Sequence, residues 1–358
     1  MKYALIGCGR ISPNHIAAAI DNQLDIVAVC DKNITHMEQL LSKFDHDFTS
    51  VKRYTDYKEM IEREHPDLIA IATESGLHAE IALYCIEKKI NVIIEKPIAM
   101  NMKDARAICE AAKKYDVVVC ANHQNRFNKS VQKIREAMEQ NRFGKLFHAA
   151  AHVRWNRNKD YYDQAKWRGT WENDGGCLMN QCIHNADLLR WMMGDDVEEV
   201  MAYTDNLNHD YIQAEDLGLA VIKFRNGAYG LFEGTVNVFP KNLEETLYIF
   251  GSDGTVKAGG KSVNIIENWE FSDQKDNENE VKQQYSENPL NVYGFGNNPL
   301  YADVIHAINT HTQPLVDAEA GTRALELILA IYQSAATGKP VKLPLGDVAS
   351  TDFVGRFH

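Results

Sequence analysis

YALIGCGRISPNHIAAAID, residues 3–21, decides the fold. A short apolar run meets a turn with two glycines, and a helix begins at once. Ser12 stands where a cap belongs and Pro13 at a first-turn position. The same alternation continues downstream. LDIVAVCD (24–31), DLIAIAT (67–73), NVIIEKP (91–97) and VVVCAN (117–122) read as strands. ITHMEQLLSKF (34–44), HAEIALYCIEKK (78–89) and MKDARAICEAAKKYD (102–116) read as helices between them. Repeated βα units with β-branched runs imply a parallel sheet covered by helices on both faces.

From about residue 145 the pattern changes. LFHAAAHVRW (146–155), VEEVMAYTDN (197–206), LGLAVIKFRNGAYGLFEGTVNVF (217–239) and ETLYIFGSDGTVKAGG (245–260) read as long strands. Asn226-Gly227 and Asp253-Gly254 are hairpin signals that ask for positive φ. This half is expected to be an antiparallel sheet interrupted by a helix around 178–193. Residues 274–284 read as a polar loop, and 300–310 and 324–339 as helices. The fold class is therefore α/β plus α+β: a parallel N-terminal sheet in residues 1–122, then a large, mainly antiparallel sheet in residues 123–358. The last helix is expected to pack back on the first domain.

Composition removes several classes of function. At 358 residues, 45% hydrophobic and 25% charged, the chain suits two globular domains. No apolar run approaches the ~20 residues of a membrane span. A net charge of −12 argues against a nucleic-acid surface. Seven cysteines without a CxxC pair suit a reducing compartment, so a cytoplasmic location is expected. Cys177, Cys182 and His184 lack a fourth ligand, and no metal site is expected.

Three groups of residues carry chemistry. The first is Gly7-Cys-Gly-Arg-Ile-Ser12, where two glycines permit close approach of a diphosphate and a helix N-terminus faces it. Ser12 replaces the third glycine of GxGxxG. Asp31 ends the second strand, about 20 residues on, where a carboxylate binds a ribose 2′-hydroxyl and repels a 2′-phosphate. NAD is the expected cofactor, although Lys32 leaves an opening for NADP. Thr73, Ser75 and His78 follow a strand at the ligand end of the same sheet. The second group is Glu95-Lys96-Pro97, a lysine at the carboxyl end of a central strand, with Glu95 available to pair with it. The third is the helix DGGCLMNQCIHNADLLRW (174–191), with Asn180, His184 and Asp187 spaced to share one face. Just before it, RWNRNKDYYDQAKWRGTWENDGG (154–176) interleaves Arg154, Arg157, Lys159, Lys166 and Arg168 with five aromatics. In an acidic chain, that cationic surplus suggests an anionic ligand.

Together the GxGxxS turn, the EKP strand end and the NxxxHxxD helix resemble the glucose-fructose oxidoreductase/inositol dehydrogenase (Gfo/Idh/MocA) family over essentially the whole chain. The resemblance implies a Rossmann first domain, a cis peptide before Pro97, Lys96 and His184 facing the nicotinamide and substrate, and Lys96, His184 and Asn180 as the catalytic residues at the reacting sugar. It implies cofactor contacts for Gly7, Gly9, Arg10, Ile11, Asp31, Thr73, Ser75, His78, Glu95, Lys96, Gln124, Trp167 and Arg168. Substrate contacts are implied for Lys96, Arg157, Tyr161, Tyr162, Arg168, Asn180, Gln181 and His184. Inositol dehydrogenase-like members carry Asp where this chain has Asn180. Asn neither holds a proton for relay nor raises the pKa of a neighbouring histidine, so the hydroxyl proton falls to His184 or Lys96. YYDQAKWRGTWENDGGCLMNQCIH, FPKNLE (239–244) and YGFG (293–296) resemble a subgroup that oxidises the C3 hydroxyl of UDP-N-acetyl-D-glucosaminuronate with NAD during bacterial O-antigen synthesis. The alternatives are UDP-N-acetylglucosamine, a free sugar or polyol, NAD-dependent glycoside cleavage, and a non-catalytic NAD-binding regulator. A homo-oligomer is also implied, because the family commonly buries an open sheet face between subunits.

Overall fold

The computed structural model describes residues 1–289 and 292–357. The chain forms two compact units. The first comprises Met1–Ala99, Lys103–Asn122 and Asn297–Thr322; the second comprises Met100–Met102, His123–Gly296 and Arg323–His358.

The first unit is built on six parallel strands: β1 (Lys2–Ile6), β2 (Asp25–Cys30), β3 (Lys52–Tyr54), β4 (Leu68–Ile71), β5 (Asn91–Ile94) and β6 (Val119–Ala121). Their order is β3-β2-β1-β4-β5-β6. This is the doubly wound order, and the connections diverge at β1 and β4, where such sheets bind ligands beyond the strand ends. Residues 68–71 and 92–94 have no exposed surface, which is why these strands read as continuous apolar runs. Helix Ser12–Asp21 starts at the expected place, but its N-cap is Ile11 and no side chain caps it. Helix Asn297–Thr310 lies against it.

The second unit carries eight strands: β7 (Leu146–Arg154), β8 (Val197–Asp205), β9 (Leu217–Phe224), β10 (Tyr229–Thr235), β11 (Glu244–Gly251), β12 (Gly254–Gly259), β13 (Ile265–Phe271) and β14 (Val341–Lys342). Their order is β13-β12-β11-β7-β10-β9-β8-β14. The sheet is mixed rather than wholly antiparallel, because β7 and β10 run parallel. The long helical excursion after β7 lets β10 return in the same direction as β7. Asn226-Gly227 turns β9 into β10 with Gly227 at φ 87°. The next hairpin turns at Ser252-Asp253 instead, and Gly254 already belongs to β12. Glycine is required there because a Cβ would sit 2.3 Å from the Phe271 ring. The expected loop at 274–284 contains helix Glu278–Tyr285; Asn277 caps it and Val281 anchors it. One face of the sheet is covered by the segment 178–192. A Cβ on Gly218 or Gly234 would fall 2.4 or 2.5 Å from Leu178, so these strand glycines make room for it. The other face exposes Tyr203, Leu219, Val221, Tyr229 and Leu231. Among the described residues no helix is long and apolar enough to cross a membrane.

Candidate active site

In the first unit the turn after β1 is fixed by hydrogen bonds. Gly7 has φ 93°, donates its N–H to the Cys30 carbonyl at 2.8 Å, and has no room for a Cβ, which would lie 2.4 Å from the Ala72 carbonyl oxygen. The Cys8 N–H donates to Asp31 Oδ2 at 2.8 Å, and the Asn33 N–H to Oδ1 at 2.8 Å. Ser12 replaces the third glycine at no cost in polarity: its buried hydroxyl donates to the Gly9 carbonyl at 2.6 Å. A Cβ on Gly9 would meet nothing within 4 Å. The turn therefore has open space on the side where a dinucleotide's phosphates approach, and Arg10 and Ile11 follow it directly. Asp31, the one acid in the turn, stands at its margin. These residues fit NAD.

The ends of β4 and β5 are tied to one another. His78 is buried rather than on the surface, with Nδ1 2.8 Å from the Pro97 carbonyl and Nε2 3.1 Å from the Thr73 carbonyl. Burial lowers its pKa, and a neutral ring donates to one of these carbonyls at a time. Ser75, also buried, opens the short helix between Thr73 and His78. Glu95 accepts from Asn122 Nδ2 at 2.6 Å, His15 Nε2 at 3.0 Å and the Lys96 N–H at 3.2 Å. Burial works to raise its pKa, but the bonds and charge of His15, with Lys96 and Asn122, outweigh it and hold the carboxyl at about 2. His15 continues to the Tyr301 hydroxyl at 2.7 Å, which lies 3.0 Å from that of Tyr3. Glu95 is thus part of a buried network. Lys96 precedes a cis peptide and is the one residue between Val92 and Met100 that is not buried.

In the second unit the catalytic-looking helix is not uniform. Leu178–Cys182 is a π-helical turn and Ile183–Met192 an α-helix. The three polar residues that share a face by counting part company. Asp187 forms a buried bidentate pair with Arg126 at 2.6 and 2.7 Å. Burial raises the Asp187 pKa, but Arg126 and His123 outweigh it, so it stays ionised. It is a structural anchor. His184, 9% exposed, meets the ring of His123 edge-on, with centroids 5.4 Å apart. Asn180 donates its Nδ2 to Asp174 Oδ1. Gln124 is buried in the short helix Gln124–Phe127 that also carries Arg126.

The basic segment divides in the same way. Arg154 is neutralised by Glu233 and Glu244, and Lys159 pairs with Asp163. Arg157 and Arg168 instead stand over Tyr161, with guanidinium carbons 5.1 and 4.2 Å from its ring centre. Arg168 also lies 4.9 Å from the Trp167 ring, and its Nε is buried without a hydrogen-bond partner. Gln181 Nε2 donates to the Tyr161 hydroxyl at 3.0 Å. Tyr162 is buried against Tyr161, His209 and Tyr211 and packs behind the cluster. Its phenol is pushed far up by burial. The structure thus gathers Arg157, Tyr161, Trp167, Arg168 and Gln181. The sequence reading missed Asp174, His123 and Glu215. Only Asp174 carried a signal, as the acid of a DGG turn opening a polar helix.

Two family models match the chain: the oxidoreductase family's NAD-binding Rossmann fold over residues 1–123, and its C-terminal alpha/beta domain over residues 135–343. The structure superposes on the WlbA dehydrogenase of Chromobacterium violaceum, solved with NADH and UDP-GlcNAcA, with a TM-score of 0.88 and 36% identity over 97% of this chain and 96% of that one. WlbA of Bordetella pertussis, in complex with the same two molecules, gives 0.87 and 34% over 97% and 98%. The myo-inositol 2-dehydrogenase of Thermotoga maritima is 28% identical over 267 residues, 72% of this chain and 75% of its own.

Proposed function

The chain belongs to the Gfo/Idh/MocA family of NAD-dependent oxidoreductases acting on CH–OH groups, and on that premise we propose that it oxidises the C3 hydroxyl of UDP-N-acetyl-D-glucosaminuronate (UDP-GlcNAcA) to the 3-keto sugar. The product would enter nucleotide-sugar synthesis for a bacterial O-antigen. The observation that carries this reading is the Tyr161 cluster. Two guanidinium groups stack on one ring, one has an unsatisfied Nε, and Gln181 holds the ring's hydroxyl. Such a platform suits a ligand with sugar faces and several negative charges, as a nucleotide-linked uronate has. Likeness to the two WlbA enzymes, at 36% and 34% identity, supports the same class.

In this reading, residues 1–122 bind the dinucleotide, and residues 123–358 bind the sugar and a second subunit of a cytoplasmic homo-oligomer. Gly7, Gly9, Arg10 and Ile11 bind the diphosphate and Asp31 the adenosine ribose. Thr73, Ser75, His78, Glu95, Lys96, Gln124, Trp167 and Arg168 complete the cofactor's surroundings. NAD held by these residues would supply the acceptor for the hydride from C3. His184 takes the O3 proton, a task that suits an imidazole near neutral pH. The Lys96 ammonium stabilises the charge that develops on O3. Asn180 and Gln181 bind sugar hydroxyls, Arg157 and Arg168 the anionic groups, and Tyr161, backed by Tyr162, a sugar face.

Absorbance of NADH after UDP-GlcNAcA is added to NAD-loaded protein tests the reading, with UDP-N-acetylglucosamine as the control. NADH with the uronate alone is expected. NADH with the control alone would keep the reaction and change the substrate; none with either, in single or multiple turnover, would end the nucleotide-sugar assignment. His184→Ala should lose turnover and still bind NAD, and unchanged turnover would remove His184 from the mechanism.

A further inference from the structure

The segment 157–169, which carries the Tyr161 cluster, is gripped at both ends by the loop that joins β8 to β9. That loop closes on itself. The Asp216 N–H donates to the Asp205 carbonyl at 3.0 Å, and Asn206 Nδ2 donates to the His209 and Ala214 carbonyls at 2.9 Å each. From it, the Gln213 and Ala214 N–H groups donate to the Gly169 carbonyl at 2.9 and 3.2 Å. At the other end stands His209. Its Nε2 lies 2.6 Å from the Arg157 carbonyl oxygen, and its Nδ1 2.9 Å from Asp216 Oδ2. Both side chains are buried.

A carbonyl oxygen only accepts a hydrogen bond, and so does an ionised carboxylate. Burial works to raise the Asp216 pKa, but His209 and the Leu207 and Asn208 N–H groups outweigh it and keep the carboxyl ionised. His209 therefore faces two acceptors and must donate from both nitrogens, as an imidazolium. Burial opposes that charge too, but the bonds to Asp216 and the Arg157 carbonyl hold the ring's pKa above its ordinary value. Tyr162 and Tyr211 pack against the ring, with centres 5.5 and 5.4 Å away. The peptide before Arg157 is fixed separately, since the Arg157 N–H donates to the Val236 carbonyl at 3.0 Å. The peptide after it is the one His209 holds. That peptide leads into Asn158, which caps helix Lys159–Asp163 and accepts the Tyr161 N–H through its side chain at 3.1 Å.

We propose that His209 is a positioning residue: seated as an imidazolium on Asp216, it fixes the peptide between Arg157 and Asn158, and with it the placing of Arg157 against Tyr161 where the ligand binds; this rests on the substrate reading above. Asp216 supplies the charge that keeps the ring doubly protonated, and the Arg157 carbonyl receives the proton this leaves on Nε2.

Two near-isosteric variants separate the two nitrogens. A glutamine amide nitrogen falls where Nε2 lies, and an asparagine nitrogen where Nδ1 lies. H209Q can still donate to the Arg157 carbonyl. H209N can still donate to Asp216 but leaves that carbonyl unheld. KM for UDP-GlcNAcA should rise about 10-fold in H209N, the worth of one hydrogen bond, with kcat and NAD affinity unchanged. H209Q should stay within about 3-fold of wild type, since it keeps that bond. A wild-type KM in H209N would overturn the proposal. So would an H209Q no better than H209N, the result of a role in stability alone. Should H209N fail to fold, H209Q decides: a KM near wild type supports the proposal, and the rise expected of H209N overturns it. Nitrogen-15 spectra of histidine-labelled wild type at neutral pH should show two ring N–H protons that vanish in H209Q, and a single one would overturn the imidazolium. If the wild-type protein oxidises no nucleotide sugar, the substrate reading fails on its own, and hydrogen exchange then reads the hold directly. Amides of residues 158–163 should exchange faster in H209N than in wild type, and at the wild-type rate in H209Q. Equal rates in all three would overturn the contact as well.

Discussion

At the level of single residues, Asp31 does two things at once. Its carboxylate accepts the Cys8 and Asn33 N–H groups and so holds the diphosphate turn in shape. In the proposed function the same charge would face a 2′-phosphate and repel it. Asp31→Ala should therefore weaken NAD binding and raise the affinity for NADP relative to NAD. Loss of one charge-assisted bond of about 1.5–3 kcal/mol corresponds to roughly 10- to 100-fold in NAD dissociation constant. Titration of both dinucleotides checks it; an unchanged NADP/NAD ratio would free Asp31 from the selectivity role. Residue identity made the turn itself legible in the sequence, because GxG and a strand-end acid specify a backbone conformation and a charge. The role of Asp187 was not legible, for the opposite reason. Spacing on a helix says which residues share a face, but the partner that claims Asp187, Arg126, lies 61 positions away.

The elements were legible where they follow one period. Five of the six parallel strands announced themselves as apolar runs and four of their helices as 3.6-residue stripes; the three-residue β3 and the helix Tyr57–Glu64 after it, too short and polar for either signal, did not. The π-helical turn at Leu178–Cys182 did not, since nothing in the order of its side chains distinguishes it from an α-helix. Tertiary contacts hold it. Glu215, fully buried, accepts the Leu178 N–H at 2.8 Å and the Tyr332 hydroxyl at 2.9 Å through Oε1, and its other oxygen has no partner. Glycine at 176 leaves room for this carboxyl, since a Cβ there would overlap Glu215 Oε2. Burial pushes this carboxyl from 4.5 up to about 8, against the bonds from Leu178 and Tyr332. Between those values the folded protein keeps a proton that the unfolded chain has released, so Glu215 makes stability fall as pH rises from about 4.5 to 8. Glu215→Gln keeps an acceptor for Leu178 and Tyr332 and cannot ionise. Its melting temperature should match wild type below about pH 4.5 and exceed it increasingly up to pH 8, by an amount worth about 1.4 kcal/mol per unit of pH at most. Parallel curves would mean that Glu215 does not hold its proton.

At the scale of the whole molecule, the eight-stranded sheet raises a question that neither site answers. Its inner face is filled by Leu178, Leu189 and the glycine-lined seats beneath them. Its outer face exposes a group of large apolar side chains beside charged ones such as Lys223 and Glu233. Leu231 lies across from Val221, and Tyr203 from Leu219, on adjacent strands, and Tyr229 extends the same surface. Their exposures run from 44% to 71%. Alternation along β9 and β10 made the inner face apolar and placed Leu219, Val221, Tyr229 and Leu231 outward beside Lys223 and Glu233, more exposed apolar surface than a sheet wet on one side needs. A contiguous patch of this kind is the signature of a covered interface, and a second copy of the chain meeting it across a two-fold axis would pair the patch with itself. Placing charge at its centre, in V221K or L231E, should convert the oligomer to monomer in analytical ultracentrifugation. The substitutions point away from Ile222 and Phe232, which face the interior, so secondary structure should survive. A wild-type protein that sediments as a monomer at micromolar concentration would refute the interface outright. A variant that keeps the wild-type sedimentation coefficient would move the interface to another surface and leave this face without a partner.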